Sequence, residues 1–193
     1  MSNKLNTKDL INIGIFTAIY FAVFYVTGMI GYIPICEVLV PLLLPLVTGI
    51  PFMLFLTKID KFGMVTIMGI IVSLILFATG HSWLVMAVGI PCAVIADLIL
   101  KSGEYKSWRK IIVGFCIFSE WIMGAMLPMW IMRDAYFDRI RAGYGDEYTD
   151  TLMSLMSGWM IAVMALMVVV GGIAGAYIGR STLKRHFERA GIA

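Results

Sequence analysis

Six long apolar runs divide the chain, over roughly residues 9–29, 34–56, 62–80, 83–100, 111–132 and 157–179. Each holds about 18–23 residues, enough to cross a hydrocarbon layer ~30 Å thick at ~1.5 Å per residue. Short polar segments separate them. The pattern predicts an all-α integral membrane protein with six transmembrane helices, residues 1–193 forming one membrane domain. The only long connection is 133–156, where Tyr136, Ile140, Tyr144 and Tyr148 recur every four residues. That spacing predicts one amphipathic stretch at the membrane surface, broken at Gly143 and Gly145.

Local signals refine the picture. Asn6-Thr7-Lys8-Asp9 caps the first helix, with Asp9 near its positive end. The second run contains Pro34, Pro41, Pro45 and Pro51. An interior proline removes a backbone hydrogen bond, so a kinked or broken helix is expected. Both a plain kink and a deliberate break lining a site fit, since freed carbonyls persist only in protein or a wet cavity.

The polar segments alternate in charge. One side carries Lys4, Lys8, Lys58, Lys61, Lys101, Lys106, Arg109, Lys110, Arg180, Lys184, Arg185 and Arg189. The other carries Arg133, Arg139 and Arg141 among Asp134, Asp138, Asp146, Glu147 and Asp150. The positive-inside rule then places both termini in the cytoplasm of a multi-pass protein of the cell membrane.

The chain is 61% hydrophobic and 14% charged, too apolar for a water-soluble domain of 193 residues. The net charge of +3 is loop bias rather than a nucleic-acid footprint. Residues 9–29 read as a retained helix, because no small-residue cleavage site follows them. No phosphate-binding G-x-x-x-x-G-K-[ST], H-E-x-x-H or G-x-S-x-G motif is present, so neither ATP binding nor enzymatic chemistry is expected. Cys36, Cys92 and Cys116 form no C-x-x-C pair and read as buried thiols. His186 falls in the basic tail, opposite His81, so the two cannot share a metal. No metal site and no cofactor is expected.

Two ladders of small residues stand four apart, Gly14, Ala18 and Ala22 in the first run and Gly171, Gly175 and Gly179 in the last. Such ladders let helix backbones approach closely in lipid. Spacing alone leaves open whether they pack inside the bundle or on another subunit. Glu120 falls about ten residues into the fifth run, where a carboxylate costs several kcal/mol unless paired, neutral or hydrated. Asp97, with Lys101 four residues on, reads as a helix-end residue. Glu37, His81, Trp83, Trp130, Arg133 and Trp159 all fall at outer helix ends or turns. With Glu120 they are the candidate substrate contacts. For Trp130 and Trp159 an interfacial belt, and for Arg133 pairing with Asp134 or Asp138, are the plainer roles.

The opening Lys4-Leu5-Asn6-Thr7-Lys8-Asp9-Leu10, the helix Gly14-Ile-Phe-Thr-Ala18-Ile-Tyr-Phe-Ala22, and six spans in under 200 residues resemble a known family. It is the substrate-capture (S) component of energy-coupling factor (ECF) transporters, in its MptD-type, or Trep_Strep, branch. The resemblance implies that Ala18 and Ala22, with Gly14, dock onto a membrane coupling subunit driven by two cytoplasmic ATPases. It implies capture of a vitamin or similar micronutrient from outside, and toppling to release it inside. It does not locate the ligand contacts. The outer residues suit a small apolar or aromatic nutrient with one or two polar handles, or a flat tetrapyrrole with His81 as ligand. A proton-coupled carrier using Glu120, and a membrane interaction protein without ligand, are the rival readings.

Overall fold

The computed structural model describes residues 4–187. Arg189 and the side chain of His186, both in the expected basic tail, lie outside what is described. In chain order the helices are α1 (Thr7–Gly28), α2 (Pro34–Glu37), α3 (Val40–Leu56), α4 (Met64–Ala78), α5 (Leu84–Ser102), α6 (Trp108–Ser119), α7 (Trp121–Met126), α8 (Pro128–Ile131), α9 (Arg133–Tyr144), α10 (Asp146–Leu155) and α11 (Met160–Thr182). A 3-10 turn, Met29–Tyr32, joins α1 to α2. The described residues contain no strand.

Among the described residues four helical stretches are long and apolar enough to cross a membrane: Thr7–Tyr32, Leu84–Ser102, Trp108–Ile131 and Met160–Arg185. Two shorter apolar helices, Val40–Leu56 and Met64–Ala78, complete the bundle. At 15 residues α4 is only ~22 Å long.

The α1 start is a capping box: Asn6 Oδ1 accepts from the Asp9 backbone N–H at 3.0 Å, and Asp9 Oδ2 accepts from the Asn6 N–H at 2.8 Å. Lys61 adds a 2.7 Å ion pair to Asp9, fastening α1 to the loop before α4. The α4 start is built differently. Gly63 precedes it at φ 102 and has no side chain to offer as a cap. The fully buried Asp97 of α5 takes that place. Its Oδ2 accepts from the backbone N–H of Gly63 and Thr66 and from the Thr66 hydroxyl at 2.9–3.0 Å, while Oδ1 accepts from the Tyr105 hydroxyl at 2.8 Å. Lys101, the expected partner, instead lies over the Phe62 ring.

The second apolar run is broken, but not at its interior prolines. The break falls at Val38 and Leu39, between α2 and α3. Pro41 opens α3, where its missing N–H costs nothing, and Pro45 and Pro51 sit within a continuing helix. The fifth run is unexpectedly interrupted at Glu120 and again at Leu127, before Pro128. Segment 133–156 forms two helices divided at Gly145 with φ 83, one of the two expected breaks, while α9 continues through Gly143. Arg141 bridges them with ion pairs of 2.6 Å to Asp146 and 2.7 Å to Asp150.

The bundle closes around α3, which packs most extensively on α11 and also against α1. The last ladder makes the α3–α11 approach possible. A Cβ on Gly171, Gly175 or Gly179 would collide with the carbonyl oxygen of Leu42, Pro45 or Gly49 respectively. The core is aromatic: Phe52 lies 4.7 Å from Phe115 and 4.9 Å from Phe118, ring centre to ring centre. Nearby, Trp121 donates a 3.1 Å hydrogen bond to the Tyr20 hydroxyl, so a buried polar pair satisfies itself.

Candidate functional site

At the end of the bundle that carries the 79–83 turn, α9 and α10 fold over the helix ends. Arg133 locks this hairpin down. Its guanidinium donates to the carbonyls of Met156 at 2.8 Å, Met153 at 3.0 Å and Met129 at 3.4 Å. Phe137, Thr149 and Leu152 point inward and are buried. On the far side the Tyr148 hydroxyl donates to the Gly31 carbonyl at 2.6 Å.

Under this roof lies a cavity of about 660 Å³, within the range of small-molecule sites. An adjoining space of about 250 Å³ shares Glu37, His81, Tyr136, Ile140 and Tyr144 with it. Met126, Met129 and Met132 also line the larger of these two. Tyr25, Tyr32, Tyr136, Tyr144 and Tyr148 surround the smaller space, five of the eight tyrosines in the chain. Tyr144 stacks on Tyr148 at 4.9 Å and faces Tyr32 at 6.0 Å.

The break after α2 aims Glu37 into this space. Its carboxylate lies against the Gly31 α-carbon, where any Cβ would displace it. Among the described residues no hydrogen-bond or ion-pair partner meets Glu37. Burial raises the hydroxyl pKa of Tyr136 and Tyr148, and the nearby Glu37 charge raises both further, so both stay protonated at neutral pH. His81 Nδ1 lies 3.2 Å from the Leu76 carbonyl. A carbonyl only accepts, so Nδ1 carries the proton and Nε2 keeps a lone pair. Burial lowers the His81 pKa, outweighing the Leu76 carbonyl, and the Arg139 charge lowers it further; the ring is therefore neutral at pH 7.

The structure thus brings together Glu37, His81 and Trp83 of the candidate substrate contacts. It places the others elsewhere. Trp130 donates to the Ser157 carbonyl at 3.0 Å, and Trp159 projects outward, 66% exposed. Arg133 is spent on three carbonyls rather than on a ligand or on Asp134 or Asp138. Glu120 is half-buried at the α6–α7 break and lines neither of these spaces. Tyr136, Tyr144 and Tyr148 had been legible only as one face of an interfacial helix. Their coincidence with Tyr25 and Tyr32 at the end of the first run is the signal that would have found the site.

A larger space of about 840 Å³ lies at the opposite end, lined by Lys101, Lys106 and Arg180 beside Asp60 and Glu104. Arg180 rests on the Trp108 ring at 4.5 Å. That mixture of both signs is what a solvated helix-end surface presents, and nothing there matches the unpartnered carboxylate among tyrosines.

The first-helix ladder behaves unlike the last. Gly14, Ala18 and Ala22 are all exposed on the bundle surface, and a Cβ on Gly14 would meet nothing within 4 Å. Ile11, Ile15 and Ile19 flank it, between 41% and 55% exposed.

Comparison with curated proteins gave no match, and comparison with solved structures gave none. A family model does match, over residues 7–189, described as a hypothetical bacterial integral membrane protein. With nearly the whole chain covered and an apolar helical bundle that fits the description, the protein belongs to the Trep_Strep family of bacterial integral membrane proteins.

Proposed function

We propose that this membrane protein is the S component of an ECF-type importer, with six spans and both termini in the cytoplasm. The short helices α3 and α4 supply the second and third spans, their limited length offset by central packing and local bilayer thinning. The outer end is then the one with α9 and α10, and the cavity there captures a nutrient. Energy comes from two ATPases acting through a coupling subunit.

The observation that carries this reading is the contrast between the two ladders. The glycines of α11 are consumed by packing on α3, whereas Gly14, Ala18 and Ala22 lie exposed in a row of small residues on α1, with open space at Gly14. Lipid alone does not call for a smooth stripe, and a partner helix does. Co-expression with the coupling subunit and ATPases tests it. Ala18→Leu or Ala22→Leu should abolish co-purification while the solitary chain stays monodisperse. An intact complex with Ala22→Leu would refute the docking role.

One observation favours the proton-coupled rival: Glu120 has no partner among the described residues, at a break inside a span. It is tested below.

A further inference from the structure

The outer cavity is marked by one unpartnered carboxylate, that of Glu37, among tyrosine rings. Two of the three outer arginines are held away from it. Arg133 is held by the Met129, Met153 and Met156 carbonyls, and Arg141 by Asp146 and Asp150. Arg139, the one arginine in the lining, donates from Nη1 to the Gly80 carbonyl at 2.8 Å at the exposed rim. The Tyr148 hydroxyl proton is committed to Gly31. Among the described residues the Glu37 carboxylate has no hydrogen-bond or ion-pair partner, and His81 Nε2 keeps its lone pair. Around them stand tyrosine rings, whose π-faces attract cations.

Glu37 is half-buried, and a carboxylate partly withdrawn from water without a partner gains from a ligand that supplies the missing charge. A divalent metal does not fit. Among the described residues no three His, Cys, Asp or Glu side chains gather to hold one. Tyrosine rings and a methionine wall suit an organic body rather than a bare ion.

We propose that the outer cavity binds a small organic cation, a protonated or quaternary amine on an apolar or aromatic body. The ammonium sits against Glu37 among Tyr32, Tyr136, Tyr144 and Tyr148. The body extends along Met126, Met129 and Met132 toward Trp83. This names the substrate class of the S component proposed above and rests on that reading for its transport role, but not for binding itself.

The test uses the purified full-length chain in lipid nanodiscs, titrated calorimetrically. The probes are benzylamine and benzyltrimethylammonium, set against neutral benzyl alcohol and anionic benzoate. Both cations should bind at least about tenfold more tightly than the other two. Glu37→Gln keeps the side-chain shape and should remove most of that preference. Tyr144→Phe keeps the ring and should bind normally, whereas Tyr144→Leu should weaken cation binding several-fold. Equal binding of benzoate or benzyl alcohol would overturn the proposal. So would unchanged cation binding in Glu37→Gln, or no saturable binding of either amine in the low-millimolar range. Co-purification with the coupling subunit is measured on the same variants. Docking without cation preference leaves the S-component reading standing and removes this one. Cation binding without docking does the reverse.

Discussion

The Tyr148 hydroxyl and the Gly31 carbonyl oxygen, 117 residues apart in sequence, meet at 2.6 Å and fasten the α9–α10 hairpin to the turn between α1 and α2. Both residues line the smaller of the two spaces, so Tyr148 borders the site and also pins the hairpin that covers it.

Tyr148→Phe removes that bond and little else. The expected loss of stability is about 0.5–1.5 kcal/mol, the usual net worth of one hydrogen bond. Hydrogen exchange should locate the effect: amides of residues 133–155 lose protection while those of α3 and α11 do not. Uniform loss across the bundle would contradict a local clasp.

Identical substitutions in the two ladders should have opposite outcomes. Gly175→Ala puts a methyl into the Pro45 carbonyl and should cost ~1–3 kcal/mol as α11 and α3 separate. Gly14→Ala meets open space and should be neutral or stabilising by up to ~1 kcal/mol through helix propensity. Thermal unfolding in detergent compares them directly. Equal destabilisation would mean that α1 packs where the structure leaves it bare.

Orientation follows from charge. In a background without Cys36, Cys92 and Cys116, a cysteine at Asp146 should react with an impermeant reagent added to intact cells. One at Lys106 should react only after lysis. Labelling at position 106 alone would invert the topology and move the tyrosine-lined cavity to the cytoplasm.

Glu120→Gln separates the two transport readings. It preserves size and the capacity to hydrogen-bond but cannot ionise. ATP-dependent uptake by the full complex should remain largely intact. Near-complete loss of uptake, with the variant folded and still binding substrate, would favour proton coupling instead.

What was legible in the sequence was whatever depends on neighbours along the chain. Apolar length gave the helices, and Asn6 with Asp9 gave the α1 cap because both ends of that box lie three residues apart. Prolines announced a disruption of the second run, yet misplaced it. Pro45 and Pro51 sit where a packed helix tolerates them, and the chain turns instead at Val38 and Leu39. Contacts between distant segments were not legible. Asp97 was read against Lys101, its helical neighbour, because Gly63, Thr66 and Tyr105 come to it only through the fold. The break at Gly145 was legible, but not that it turns Tyr148 toward Gly31, 117 residues away. Glu37 had been one of several outer polar residues. Only the cavity sets it apart from Trp130, Arg133 and Trp159.

The Asp97 arrangement bears on how the chain enters the bilayer. The first turn of α4 has three donors, two backbone amides and the Thr66 hydroxyl, whose acceptor belongs to the helix synthesised after it. An α4 delivered to lipid alone would carry them bare, on a helix already too short to span comfortably. In the six-span arrangement proposed above, α4 and α5 are expected to leave the translocon together, as a helical hairpin. Replacing Asp97 by Leu, though it makes α5 more apolar, should make insertion of that pair worse rather than better.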